Sequence, residues 1–148
     1  MDETNSVKQR VTLTPEEIAM SERNKKRKQT TAQLPVVRDI SNLLYQTVVI
    51  VRDSSRKLIK YTDVMLTNLN EVLASVNYAN EVSGEERSQS LTNCIAVMRT
   101  VRAEFVILHK IREISKDCLN LCQKAIDRIL AQLVAWRSYN REGCQSYV

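Results

Sequence analysis

The sequence has 148 residues, a formal net charge of +5, 43% hydrophobic and 26% charged side chains, and only two glycines and two prolines. This length suits one domain with a tail, and the scarcity of turn residues favours long helices. No apolar run approaches the roughly 20 residues that span a bilayer, and the polar start lacks the hydrophobic region of a signal peptide. We therefore expect an all-α, cytoplasmic protein that does not enter a membrane.

Residues 1–34 predict a mobile arm, because they contain few large apolar residues and no sustained periodicity. One short helix is expected in "TPEE", with Thr14 as the cap, Pro15 at the first helical position and Glu17 completing a capping box. The arm also carries a basic run formed by Arg23, Lys25, Lys26, Arg27 and Lys28. Such a run is most often a solvated tail, but its density would also allow it to neutralise several phosphates.

Four helices are expected between residues 35 and 140. The first follows from the period that begins at Arg38 and ends at "DSS", which would also supply a cap for the second helix, from about Lys57 to Val82. "SGEE" joins the second helix to the third, with Ser83 and Glu86 at capping-box spacing and Gly84 in the turn. Ser115 caps the fourth. Four helices with short connections predict an up-down-up-down antiparallel bundle, and residues 141–148 are expected to fray.

The apolar residues of each helix recur at spacings of three and four, which predicts one buried face per helix. These faces comprise Ile40, Leu43, Leu44, Thr47, Val48 and Val51 in the first helix, Tyr61, Met65, Leu69, Val72, Val76 and Ala79 in the second, Leu91, Cys94 or Ile95, Met98, Val101, Phe105 and Leu108 in the third, and Leu119, Cys122, Ile126, Ile129, Leu133 and Trp136 in the fourth.

Residues typical of catalysis or metal binding are sparse. His109 is the single histidine, so a nucleophile has little choice of base, and no glycine-rich phosphate loop is present. Cys118 and Cys122 share one side of a helix, where they fit a core as small hydrophobic residues; a zinc site would need two further ligands. The sequence therefore predicts no enzyme activity, no cofactor and no metal.

Basic residues also occur on the helices. Four of them, Arg52, Arg56, Lys57 and Lys60, lie in "RDSSRKLIKYT" between the first two helices, and Arg112 follows the third. Arg56 and Lys57 are expected in the first turn of a helix, where the dipole disfavours cations and a bound polyanion would compensate.

Arg99 and Arg102 lie one turn apart on the third helix. One interpretation is a pair at the edge of the core, bridged to Glu104 or to a neighbouring helix; the other is a pair buried at an oligomer interface or lining a channel. All of these basic residues are candidates for contacts with nucleic acid.

A second apolar stripe lies outside the predicted core faces. It consists of Val49, Val64, Val97, Val106, Ile107 and Val134. The stripe is wider than a monomeric bundle needs, which favours self-association; a wider core is the alternative.

Three segments resemble the four-helix-bundle family that contains Avd, the accessory variability determinant of diversity-generating retroelements. They are "SSRKLIKYTDVMLTNLNEVLASVNYAN", "RTVRAEFVILHKIREIS" and "AIDRILAQLVAWRSYN", and their order and spacing agree with the family over residues 38–140. Two departures are Ser54 and Ser55 where Phe-Pro is common, and Val134 and Ala135 in place of paired glycines. The arm has no counterpart in the family, and the ribosomal-RNA intervening-sequence proteins share the same bundle.

The resemblance implies a specific role. Avd-like proteins form a ring of five bundles, bind nucleic acid and associate with the element's reverse transcriptase, which makes mutated complementary DNA from a template RNA. The resemblance thus implies a non-catalytic accessory protein with RNA, RNA/DNA, the enzyme and its own copies as partners. A protein-protein adaptor without a nucleic-acid role is the alternative.

Overall fold

The computed structural model describes residues 14–16, 34–54 and 56–145. The basic run Arg23 to Lys28 and the expected capping residue Glu17 lie outside the described residues. Pro15 and Glu16 are helical and Thr14 precedes them, so Pro15 occupies the first helical position, as predicted. Within these ranges, no helix has the length and apolar character that a bilayer crossing requires.

Residues 34–54 and 56–145 form four α-helices and no strand. The helices are α1 (Pro35–Asp53), α2 (Ile59–Glu81), α3 (Gly84–Lys110) and α4 (Lys116–Gln145), and a 3₁₀ turn at Arg56–Leu58 precedes α2. Each of α1 and α3 packs against both α2 and α4. The prediction of an all-α protein with four packed helices is therefore confirmed.

Two helices extend beyond their predicted bounds. α1 begins at Pro35 instead of Arg38, because proline suits the first helical position and Val36 and Val37 continue the buried face. α4 remains helical to Gln145, five residues past the predicted border at 140.

The predicted faces form most of the core. Met98, Phe105 and Ile126 are fully buried with most of the other predicted residues, whereas Tyr61 and Trp136 are only partly buried at the margin. Val48 is a wrong prediction, since it is 48% exposed. The buried face of α1 passes through Thr47, as predicted; its hydroxyl donates to the Leu43 carbonyl at 2.7 Å and so tolerates burial.

The helix caps differ in how well they were predicted. Ser115 caps α4 as expected, because its Oγ accepts the Cys118 amide at 3.1 Å. Ser83 holds the N-cap position of α3 but makes no side-chain cap bond, and the carboxylate of Glu86, the other half of the expected capping box, accepts the Tyr78 hydroxyl. The expected capping box is therefore wrong, while Gly84, with φ +62°, meets the expected need for glycine in the turn.

Polar contacts cross from α2 to α3 along the two helices. The Tyr61 hydroxyl donates to the Glu104 carbonyl at 3.3 Å, the Ser90 hydroxyl to the Ser75 carbonyl at 2.7 Å, and the Arg87 guanidinium to the Ala79 carbonyl at 2.8 Å. These bonds lock the α2–α3 pair in register around the core.

Candidate nucleic-acid interface

The connection between α1 and α2 presents exposed basic side chains. Arg56, Lys57 and Lys60 are all exposed. Arg52 is exposed as well and lies 3.3 Å from Asp53, with both side chains about two thirds or more in contact with solvent. An ion pair so open to water is weak, so Arg52 can exchange it for a phosphate at little cost.

Arg56 and Lys57 do not lie in the first turn of α2, contrary to the prediction. They form the 3₁₀ turn before it, and Leu58 is the N-cap without a side-chain cap bond. Ser54 ends α1 instead, with its hydroxyl donating to the Val51 carbonyl at 2.9 Å, while Ser55 lies outside the described residues. Neither the 3₁₀ turn nor the first turn of α2 contains an acidic residue, so the amides there meet no nearby carboxylate from their own segment.

The connection between α3 and α4 is a compact turn that exposes Arg112. Its amide donates to the His109 carbonyl at 2.9 Å, and the Glu113 amide donates to the Leu108 carbonyl at 2.9 Å. This pair of bonds is the Schellman arrangement that closes a helix C-terminus. Arg112 adopts φ 64° in the left-handed region, a conformation that costs an ordinary residue about 1 kcal/mol or more. The turn holds the Arg112 side chain in solvent.

The two connections have close neighbours on adjacent helices. The second half of α1, including Tyr45 and Ile50, lines a groove together with Ser115 and Cys118 from the start of α4. The start of α2 touches the later part of α3 through the bond between Tyr61 and Glu104.

Arg99 and Arg102 lie apart from these connections. The Arg102 guanidinium bonds to the Asp127 carboxylate of α4, so it bridges to a neighbouring helix, and Glu104 is not its partner. Arg99 is exposed and forms no ion pair with any residue of the described ranges. It lies about three turns before the end of α3. The structure therefore gives Arg102 a structural partner and leaves Arg99 on the body of the bundle.

Glu104 is a buried carboxyl group that the sequence did not single out as a site of its own. It is 7% exposed, its Oε1 accepts the Asn68 amide at 2.6 Å, and its Oε2 has no hydrogen-bond partner. Burial raises the pKa of Glu104, and the bond from Asn68 offsets part of this effect. The available signal was an acidic residue one turn after Val101 and next to Phe105, on a face that is otherwise apolar.

His109 and Cys94 both have surroundings that fit a role in the fold and not in catalysis. His109 Nδ1 lies 3.2 Å from the Ile114 carbonyl, which can only accept, so Nδ1 carries the proton. Cys94 is fully buried, and burial raises the pKa of its thiol to about 12. Among the residues that the structure describes, no three histidine, cysteine or acidic side chains are grouped as a metal would require.

The second apolar stripe divides into two parts. Val97 and Val106 pack partly buried against the core, in agreement with a wider core. Val64 is 54% exposed and Ile107 45% exposed, so these two residues present apolar surface to solvent. Val134 is 36% exposed, and Val49 lines the groove between α1 and α4. Tyr45 and Leu121, which do not belong to the stripe, flank the same groove and are more exposed still.

We compared the chain with protein families, curated proteins and solved structures. No protein-family model, curated protein or solved structure matches the chain.

Proposed function

We propose that the chain is a cytoplasmic, non-catalytic nucleic-acid-binding accessory protein of a diversity-generating retroelement reverse transcriptase. In this role it supports mutagenic complementary-DNA synthesis from a template RNA. The observation that carries the nucleic-acid part is the set of exposed cations at the α1–α2 and α3–α4 connections. The retroelement part is supported by the resemblance of residues 38–140 to the Avd family.

The proposal includes an up-down-up-down order of the four helices. Three contacts between α2 and α3 support it, because the partners in α3 come earlier as those in α2 come later: Tyr61 with Glu104, Ser75 with Ser90, and Ala79 with Arg87. In this arrangement both basic connections lie at the same end of the bundle. We call residues 52–60 and 110–117 the basic end.

The balance of charge distinguishes the basic end from the opposite one. The basic end has seven lysines and arginines against three acidic residues. At the opposite end, residues 35–39, 79–88 and 137–145 have four basic against five acidic residues. Phosphates attract such a concentration of positive charge without any sequence readout, which suits a protein whose partner enzyme supplies the selectivity.

The assembly part of the proposal is a ring of five copies in contact with the reverse transcriptase. The exposed side chains of Val64 and Ile107 support an interface on the α2 and α3 surface, because large apolar groups lose contact with water when they are covered. The number five comes from the family resemblance. Arg99, exposed on the body of α3, would then contribute positive charge away from the basic end.

A titration of binding against salt tests the nucleic-acid part. A labelled RNA oligonucleotide is followed by fluorescence anisotropy with the full-length protein as the salt concentration is raised. We expect a plot of the logarithm of the binding constant against the logarithm of the salt concentration to be a falling straight line. Each phosphate contact on a single strand should make its slope more negative by about 0.7. An absence of binding at low salt, or an affinity that does not depend on salt, would contradict the proposal.

The protein-protein adaptor is the second candidate. It is favoured by the exposed apolar residues at the groove between α1 and α4, where Tyr45 is 71% and Leu121 66% exposed. An adaptor would use these residues against an amphipathic helix and its charges only for solubility. The same titration separates the two, because an adaptor would show no salt-dependent RNA binding.

A further inference from the structure

The groove between α1 and α4 contains two thiols. Its volume is about 530 Å³, and Val49, Ile50 and Leu121 give it an apolar lining. Cys118 and Cys122, one turn apart on α4, both line it. Cys122 is 2% exposed and Cys118 is half-buried, so the pair is shielded by protein on one side and open to the groove on the other.

The two thiols are also close to each other. The Cys118 and Cys122 thiols are hydrogen-bond partners of each other across one turn of α4. Neither thiol takes part in a disulfide. The pair therefore differs from Cys94, which is enclosed in the core beside the Val72 carbonyl.

The spacing suits a shared metal ion better than a disulfide. Residues four apart on a helix have their Cβ atoms about 5–6 Å apart. A disulfide needs roughly 3.5–4.5 Å between these atoms, so it would force the first turns of α4 to unwind. A metal ion bound between the two sulfurs bridges a longer gap than an S–S bond does, so it does not need the Cβ atoms to approach as closely.

We propose that Cys118 and Cys122 form a two-coordinate site for a soft monovalent metal ion, with Cu(I) as the natural candidate. Thiolate ligands select soft ions of this kind. A zinc site would require four ligands, and the described residues offer no third histidine, cysteine or carboxylate in a suitable group.

The charge of the occupied site agrees with its position in the fold. Two thiolates around one monovalent ion carry one net negative charge. Cys118 lies in the first turn of α4, and its amide bonds to the capping Ser115 at 3.1 Å. The N-terminal end of a helix favours negative charge, while Lys116 and Asp117 in the same turn offset each other and Asp117 also lines the groove.

Each thiol must lose its proton to bind the ion, and this gives the site a recognisable pH dependence. Two protons leave for each ion bound. Each proton released makes the affinity rise by up to about tenfold per pH unit, so two protons give up to about a hundredfold per pH unit. Binding to a single cysteine would show half of this slope.

The test is anaerobic titration of the reduced full-length protein with Cu(I) in competition with the chromophoric chelator bicinchoninate. We expect one tightly held ion per chain, and at least a tenfold loss of affinity in both Cys118→Ser and Cys122→Ser. The matched control is the double variant Cys94→Ser/Cys144→Ser, which removes the other two thiols and should bind as the wild type does. Circular dichroism shows whether each variant is folded. If Cys122→Ser is unstable, the affinity of Cys118→Ser decides the result, because Cys118 is only half-buried.

Three results would overturn the proposal. The first is loss of the tight ion in the control variant, and the second is wild-type affinity in Cys118→Ser. The third is an affinity that rises by no more than about tenfold per pH unit, the slope for one proton, between about pH 6 and about pH 7.5.

Discussion

Glu104 shows how a single buried residue can oppose the stability of the fold that contains it. One carboxylate oxygen accepts the Asn68 amide, while the other has no partner although it is removed from water. Burying a carboxylate without full hydrogen bonding costs free energy, and protonation relieves part of this cost. The pKa of Glu104 is raised because burial disfavours the charged carboxylate by more than the Asn68 hydrogen bond favours it.

Replacement of Glu104 by glutamine should stabilise the protein at neutral pH. Because folding raises the pKa of Glu104 above its unfolded value of about 4.3, its contribution to stability is greatest below that pH and is lost as the pH rises through the folded-state pKa. Glu104→Gln removes this loss and keeps an acceptor for Asn68. Thermal melting at about pH 4 and about pH 7.5 should show its advantage growing with pH.

The control for this measurement is Glu142→Gln, because Glu142 is exposed on α4. It should show no comparable growth with pH. A Glu104→Gln variant whose stability relative to the wild type is the same at both pH values would contradict the assigned burial cost.

Residue types could be predicted here, but not their partners. The sequence suggested Glu104 as a possible partner for Arg102, since the two lie two positions apart. In the structure Arg102 faces Asp127 on α4 and Glu104 faces Asn68 on α2. Positions two apart on a helix point in different directions, so a partner from another helix is the better choice in each case.

At the scale of the helices, two serines at equivalent positions offer a matched comparison. Ser115 accepts the Cys118 amide, whereas Ser83 at the start of α3 makes no side-chain cap bond. Ser115→Ala should therefore lower the free energy of unfolding by about 1 kcal/mol, and Ser83→Ala by much less. Urea unfolding followed by circular dichroism measures both. Equal losses in the two variants would show that the cap bond does not account for the difference.

The helices were largely predictable because their apolar periodicity reflects burial directly. All of the predicted α3 face, from Leu91 to Leu108, is buried. The predictions that failed depended on which neighbour a side chain meets. Val48 fits the pattern of α1 but is about half exposed, and the Glu86 carboxylate bonds to Tyr78 and not at the α3 cap. Neither distinction is visible in one helix considered alone.

At the scale of the whole molecule, the positions of the basic residues say more about nucleic-acid binding than the net charge does. The net charge of +5 is modest and compatible with many functions. In the proposed up-down-up-down order, Arg52 to Lys60 and Lys110 to Lys116 share one end, although about a third of the chain separates them. The sequence pointed to Arg52, Arg56, Lys57 and Lys60 as one cluster and to Arg112 separately. Their grouping at one end depends on how the helices pack, and Arg99 lies elsewhere.

The most direct test of the account compares two charge reversals in RNA binding at low salt. Arg56→Glu/Lys60→Glu changes the basic end, and Lys124→Glu/Arg128→Glu makes the same change in charge at exposed positions on the body of α4. The first variant should keep or slightly gain stability, because acidic residues near the start of α2 suit the helix dipole by about 0.3–1 kcal/mol. Any loss of binding is then not a loss of folding.

We expect Arg56→Glu/Lys60→Glu to weaken RNA binding by about tenfold or more and to reduce its salt dependence, while Lys124→Glu/Arg128→Glu has a much smaller effect. Equal weakening in the two variants, or unchanged binding in the first, would contradict an interface at the basic end.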